Sequence, residues 1–220
     1  MGGPRPDAVQ GLGVDHVGDR VYVAGEFDQS ATLGLLQSQG GPDTTTPTLT
    51  SLSTSSQDAD IFIMSVNRST GARLWYLQIG GAGDVRDERT AINSEARRLY
   101  LTASFRSTVT FQLVGGSQVS LTSAGDRDVF VLALDLDSHE LLWVVHAVRG
   151  TSGHWPESIA ERDGVVYVAG SARGITTYAG TDALTAQTVS ATDTAPRAFV
   201  LALSTAGEFR WVTTAGGVAS

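Results

Sequence analysis

The sequence predicts an all-β chain built from three similar four-stranded antiparallel units of about 68 residues. Three observations carry this expectation. A phrase, "DVFVLALDLDSHELLWVV" from Asp128, is anticipated by "DIFIMSVNRSTGARLWYL" from Asp60 and repeated as "AFVLALSTAGEFRWVT" from Ala198. Its aromatic anchors keep their distance: Trp75, Trp143 and Trp211 are each 68 residues apart, and Phe62, Phe130 and Phe199 are 68 and 69 apart. No segment longer than one turn has apolar residues at helical spacing, whereas short apolar runs bounded by Gly, Asn, Asp and Ser recur throughout.

Each unit reads as four strands. The first is a small-residue segment, "AVQGLGVD", "RTAINS" or "ESIAER". The second holds a tyrosine, Tyr22 in "VYVAG", Tyr100 in "LYLTA" and Tyr167 in "VYVAG". The third begins at the Phe anchor and the fourth carries the Trp. Between these last two lie "NRSTG", "DLDSHE" and "STAGE", whose Asn, Asp, Ser and Gly favour hairpin turns. The tyrosines are 78 and 67 residues apart, so the first unit has about ten extra residues, placed in "GGPDTTTPTLTSLSTSSQ". The expected division is therefore 1–80 with an elaborated loop 28–57, then 81–148, then 149–220.

The Phe strands are nearly unbroken apolar runs, so both of their faces should be buried. Sheets stacked face to face around an axis do this to their central strands, and small residues on the first strand suit a narrow centre. The expected architecture is a set of β-propeller blades.

Composition narrows the function. At 41% hydrophobic, 220 residues can bury a sizeable core. There is no cysteine, which removes disulfides, thiolate metal sites and a cysteine nucleophile. All 15 basic residues are arginine, so Schiff-base and P-loop lysine chemistry is also removed. A net charge of −8 argues against a nucleic-acid partner. No apolar stretch reaches the roughly 18 residues of a membrane span, and no signal peptide is visible. Gly2 follows Met1, but Pro6 sits where a myristoylation motif wants Ser or Thr. Asn67 in "NRS" fits a glycosylation acceptor.

The stretch "ASFRSTVTFQLVGGSQVSLTSAGDRDVFVLALDLDSHELLWVV", with "VYVAG" heading the neighbouring units, resembles the bacterial β-propeller repeat family. Quinoprotein-type propeller repeats, which share the "tG…lW" ending of "STGARLW", are the nearest rival. The resemblance implies propeller blades in large bacterial surface or secreted proteins, and therefore an extracellular or cell-surface location, with no catalytic residues to carry over. The third unit departs from it at Pro196 and Arg197, where the first two have "DAD" and "DRD".

Propellers close with about four to eight blades, and three would leave two broad apolar faces in water. The first expectation is a piece of a longer multi-blade protein; the second is a homo-oligomer in which two chains make a six-bladed ring. The loops 28–57, 106–125 and 171–196, with 81–88 and 149–157, should share one end of the stack and form the candidate binding surface. There, His154 and Trp155 in "SGHWPES" have no counterpart in the matching "AGDVRDER". Trp155 reads as a plug over the blade edge or as a stacking platform for a sugar. Asp84, Asp87 and Glu88 read as a solvated acidic turn or a calcium ligand set. Asp58 with Asp60, and Asp126 with Asp128, form D-x-D pairs read as turn formers or weak calcium candidates.

The histidines His16, His139, His146 and His154 lack metal-site spacing. There is no G-x-S-x-G, and "GGAGD" is not followed by a helix, so no cofactor is expected. The sequence thus points to a non-catalytic scaffold or protein-interaction module. A carbohydrate-binding lectin-like propeller is the alternative, and a propeller enzyme with an axial acidic site comes third.

Overall fold

A computed structural model describes residues 7–33, 47–53, 55, 58–181, 185–190 and 195–216. Gly2 and much of the expected loops 28–57 and 171–196 lie outside the described residues. The described chain is all-β, with antiparallel strands and a 3-10 turn at Val114–Gly116. Among the described residues no helix is long and apolar enough to cross a membrane.

The first sheet has the order β1-β2-β5-β6, from β1 (Ala8–Asp15), β2 (Arg20–Asp28), β5 (Ala59–Asn67) and β6 (Arg73–Ile79). A small hairpin, β3 (Ser30–Thr32) and β4 (Thr48–Thr50), interrupts it. The second sheet is built on β7 (Val85–Asn93), β8 (Arg98–Phe105), β11 (Asp128–Asp135) and β12 (Leu141–Gly150), with hairpin β9 (Thr108–Gln112) and β10 (Gln118–Thr122) beside it. The third has the order β13-β14-β17-β18, from β13 (His154–Arg162), β14 (Val165–Ala172), β17 (Arg197–Ser204) and β18 (Phe209–Ala215). Strands β15 (Thr176–Tyr178) and β16 (Gln187–Val189) extend the second sheet, because β15 pairs with β12 at Val148↔Tyr178.

Local side chains end the strands where the sequence placed hairpins. Asn67 Oδ1 accepts from the backbone N–H groups of Ser69 at 3.0 Å and Thr70 at 2.9 Å. Asp135 Oδ1 accepts from Asp137 and Ser138, both at 2.9 Å, and Ser204 Oγ accepts from Ala206 at 3.2 Å and Glu208 at 3.1 Å. Each bends the chain into a tight return by satisfying backbone donors that no strand partner reaches.

Cross-strand rows show which face goes where. In the first sheet Gly13, Tyr22, Ser65 and Trp75 stand side by side, and Tyr22 and Trp75 pack into the core shared with the second sheet. The other side of that core is the row Thr90, Leu101, Leu132 and Val144. On the opposite face of the second sheet, Ala91, Tyr100, Ala133 and Trp143 pack toward Ile159, Val168, Leu201 and Val212 of the third. A smaller cluster of Phe27, Ala31, Leu33, Leu49 and Phe62 lies under hairpin β3–β4. The second sheet is thus apolar on both faces, which explains its unbroken "VFVLAL" run.

Strands β1 and β7 approach closely because β1 has glycines there. A Cβ on Gly13 would lie 2.5 Å from Ile92 Cδ1. Two expected loops prove shorter than their spans: β7 starts at Val85 inside 81–88, and β13 starts at His154 inside 149–157. Similarly, 106–125 holds hairpin β9–β10, and β12 runs to Gly150, past the expected boundary at 148.

Candidate functional site

The acidic segment at Asp84 is not one loop with three carboxylates converging. Asp87 and Glu88 lie within β7, where Arg86 pairs with Ser104 and Arg89 with Thr102, so both residues bulge opposite Ala103. The bulge turns the three side chains apart. Asp84 Oδ1 accepts from Ala59 N at 2.8 Å and Arg86 Nε at 2.7 Å, and Oδ2 pairs with Arg127 Nη2. Arg86 also reaches Asp28 at 2.8 Å and Glu26 at 3.4 Å, both on β2. Arg127 donates to Ser104 Oγ at 2.9 Å, and Ser104 donates to Asp87 Oδ2 at 2.6 Å. This nearly dry network fastens the first two sheets at the long-loop end.

Glu88 is different. It is completely buried, and neither carboxyl oxygen finds a hydrogen-bond partner on another residue. Burial, reinforced by the negative charge of Glu26, raises its pKa to about 8, so it is protonated at neutral pH. Glu26 is itself pushed above its ordinary range by burial, which Arg86 only partly offsets. Glu88 therefore lies inside the fold and not on its surface.

At the next junction Asp128 is wholly buried. It accepts from Ala124 N at 3.0 Å and Gly150 N at 3.1 Å, and His146 Nε2 lies 2.7 Å from its Oδ2. His154, on β13 and not on a loop, is completely buried with both ring nitrogens unpartnered, its Nε2 3.9 Å from Asp128 Oδ1. Burial lowers its pKa, with Asp128 pulling the other way. Trp155 points elsewhere: the Arg173 guanidinium lies 5.2 Å over its ring, so one stacking face is occupied.

The remaining D-x-D residues are engaged locally. Asp60 Oδ2 accepts from Leu52 N at 2.8 Å and Gln78 Nε2 at 2.6 Å, and Gly80 leaves room for that carboxylate where a Cβ would collide with it. Asp58 accepts from Ser53 Oγ at 2.8 Å, and Asp126 pairs with Arg106 at 2.5 Å. Among the described residues no three His, Asp or Glu side chains are grouped to hold a metal ion. A shallow cleft opens at the opposite end of the first strands, lined by His16, Asn93, Glu95, Glu161 and Arg162 among others.

Among the described residues no sheet packs on the outer face of the third sheet, and hairpin β3–β4 covers only one end of the outer face of the first, over Phe27 and Phe62. In the first, the row Leu12, Val23, Met64 and Tyr76 faces away from the core, with Leu12 64% and Tyr76 40% exposed. In the third, the row Ala160, Tyr167, Ala202 and Trp211 does so, with Trp211 43% exposed. The sequence did not point to Arg86, Arg127 and His146 as the residues that pair with the buried carboxyl groups. Arg127 lies between Asp126 and Asp128 and Arg86 between Asp84 and Asp87, but His146 stands 18 residues from Asp128 and had no such signal.

No protein-family model matches this chain, and a search of curated proteins finds none similar to it. The functional reading therefore rests on the residues themselves.

Proposed function

We propose that the chain is a non-catalytic β-propeller segment, a scaffold that docks protein through the outer faces of its first and third sheets. Four-stranded order recurs in all three stretches, and so does the row that joins a second-strand tyrosine to a fourth-strand tryptophan: Tyr22 with Trp75, Tyr100 with Trp143, Tyr167 with Trp211. The first strands β1, β7 and β13 are drawn together, with Arg89 on β7 donating to Gln10 on β1 at 2.6 Å and to the Glu157 carbonyl on β13 at 3.1 Å. That is how blades would gather at an axis.

The single observation that carries the interaction role is the Leu12–Tyr76 face, apolar and open to water on an otherwise acidic chain. Solution mass and binding of an apolar-surface dye test it together, against a triple variant Leu12→Arg, Tyr76→Arg and Trp211→Arg. The wild-type chain should either associate or bind several-fold more dye than the variant. A wild-type chain that stays monomeric and binds no more dye than the variant refutes the role.

A further inference from the structure

We infer that the occupant of both open faces is a second copy of this chain, joined head to tail so that two chains close one ring of six four-stranded sheets. The inference rests on the propeller reading above and names its partner.

Both internal junctions are built alike. At the first, the Tyr22–Trp75 row meets the second sheet, Trp75 stacks on His139 of the β11–β12 turn with ring centroids 4.5 Å apart, and Tyr22 Oη donates to Leu136 O at 3.2 Å. At the second, the Tyr100–Trp143 row meets the third sheet, and Trp143 Nε1 donates to Thr205 O in the β17–β18 turn at 3.0 Å. The third sheet presents the same row, Tyr167 and Trp211, with no sheet on it among the described residues. The first sheet presents the receiving kind of row, Leu12 to Tyr76, beside the β5–β6 turn at 68–72. Trp211 of one copy therefore meets that turn of the other.

The charges agree. Position 15 pairs with Arg20 at the end of β1 as Asn93 pairs with Arg98 and Arg162 with Val165, so these three residues are equivalent. The first two reach the next sheet: Asp15 pairs with Arg97 at 2.7 Å, and Asn93 Nδ2 donates to Glu161 at 2.6 Å. Arg97 has φ 53°, and Asp19, at the same place in the first sheet's turn, has φ 52°. The junction between copies thus sets Arg162 against Asp19, the Asp15–Arg97 pair with its signs reversed. Within one chain both side chains are exposed and paired only at the surface, Arg162 (83% exposed) with Asp163 at 3.4 Å and Asp19 with Arg68 at 2.8 Å, so each remains within reach of a second charge.

Strand edges agree as well. Ala82 N donates to Thr108 O at 3.0 Å and Ala179 N to Ala147 O at 3.1 Å, so each following hairpin reaches the last strand of the preceding sheet. Among the described residues the outer edge of β18 is unpaired, and hairpin β3–β4 of a second copy is the element that fits it. Each chain carries one face of each kind. Two identical contacts related by a twofold axis satisfy all four faces and leave none to propagate.

Light scattering across concentration tests this, with far-UV circular dichroism to confirm folding. The expected mass is stable near twice 23.1 kDa. Leu12→Arg and Trp211→Arg alter residues exposed in the single chain, so each should remain folded and become monomeric. Mixed together they should recover a one-to-one pair, because each keeps the face the other has lost; an isologous dimer gives no such rescue. Asp19→Arg and Arg162→Asp should each weaken association on the order of tenfold, since the ring holds the pair twice, and the double reversal should restore it. A folded monomer at all concentrations, mass that grows without limit, or variants that fail to complement would overturn the inference. A folded monomer that still binds apolar dye leaves the scaffold reading standing with a different partner, whereas one that binds none removes both.

Discussion

Replacing Glu88 by Gln should make the protein more stable, by an amount that depends on pH. The wild-type carboxyl is raised from its ordinary 4.5 to about 8, chiefly by burial. Between those values the folded protein holds a proton that the unfolded chain releases, so wild-type stability falls as pH rises from about 4.5 to about 8 and is flat above. Each pKa unit corresponds to about 1.4 kcal/mol, which puts the whole loss on the order of 5 kcal/mol. That is a ceiling, because water reaching the ionised group would reduce it. Glutamine is neutral throughout and nearly the same size, and it inherits the same unpartnered surroundings, so the two proteins should be alike at pH 4.5 and diverge by up to about 1.4 kcal/mol per pH unit. Urea unfolding at fixed protein concentration at pH 4.5, 6, 7.5 and 9 measures the difference. A gap that does not change with pH, or a variant less stable than wild type at pH 9, would refute the assignment of Glu88 as a sealed acid.

Three further outcomes follow from the same geometry. Arg127→Met removes one of the two cations beside buried Asp84, leaving Arg86, and should cost roughly 2 kcal/mol, part of which Asp84→Asn in the same chain should return, as denaturant midpoints would show. His154 has a depressed pKa, so its contribution to stability is complete above about pH 6.5 and is lost as pH falls below that value. His154→Phe should remove this part of the acid sensitivity; stability profiles that run parallel between pH 7 and 4.5 would argue against it. Trp143→Phe forfeits the hydrogen bond to Thr205 and should cost about 1 kcal/mol in thermal unfolding, whereas Trp211→Phe in a monomeric background should cost almost nothing.

The sequence alone determined what depends on neighbours along the chain. Alternation and apolar runs set the strands, because side-chain direction in a strand is fixed by a two-residue period. Asn67, Asp135 and Ser204 set the returns, because their side chains satisfy backbone donors two to four residues on. The spacing of Tyr, Phe and Trp showed that three stretches of sequence share one pattern.

The tertiary structure decided which polar groups are charged, sealed or paired. Asp84 and Arg127 are 43 residues apart, and Arg86 and Asp28 are 58 apart, so no local pattern could join them. A bulge at Asp87 and Glu88 turned an apparent acidic loop into three carboxyl groups with three different fates. His154 looked like a surface residue and is wholly buried, because β13 begins at that position and the Asp128 junction closes over it. The physical reason is common to all of these. Strand formation is governed by short-range backbone geometry, but the state of an ionisable side chain is governed by whatever segments the packing brings within a few ångströms, and those come from anywhere in the chain.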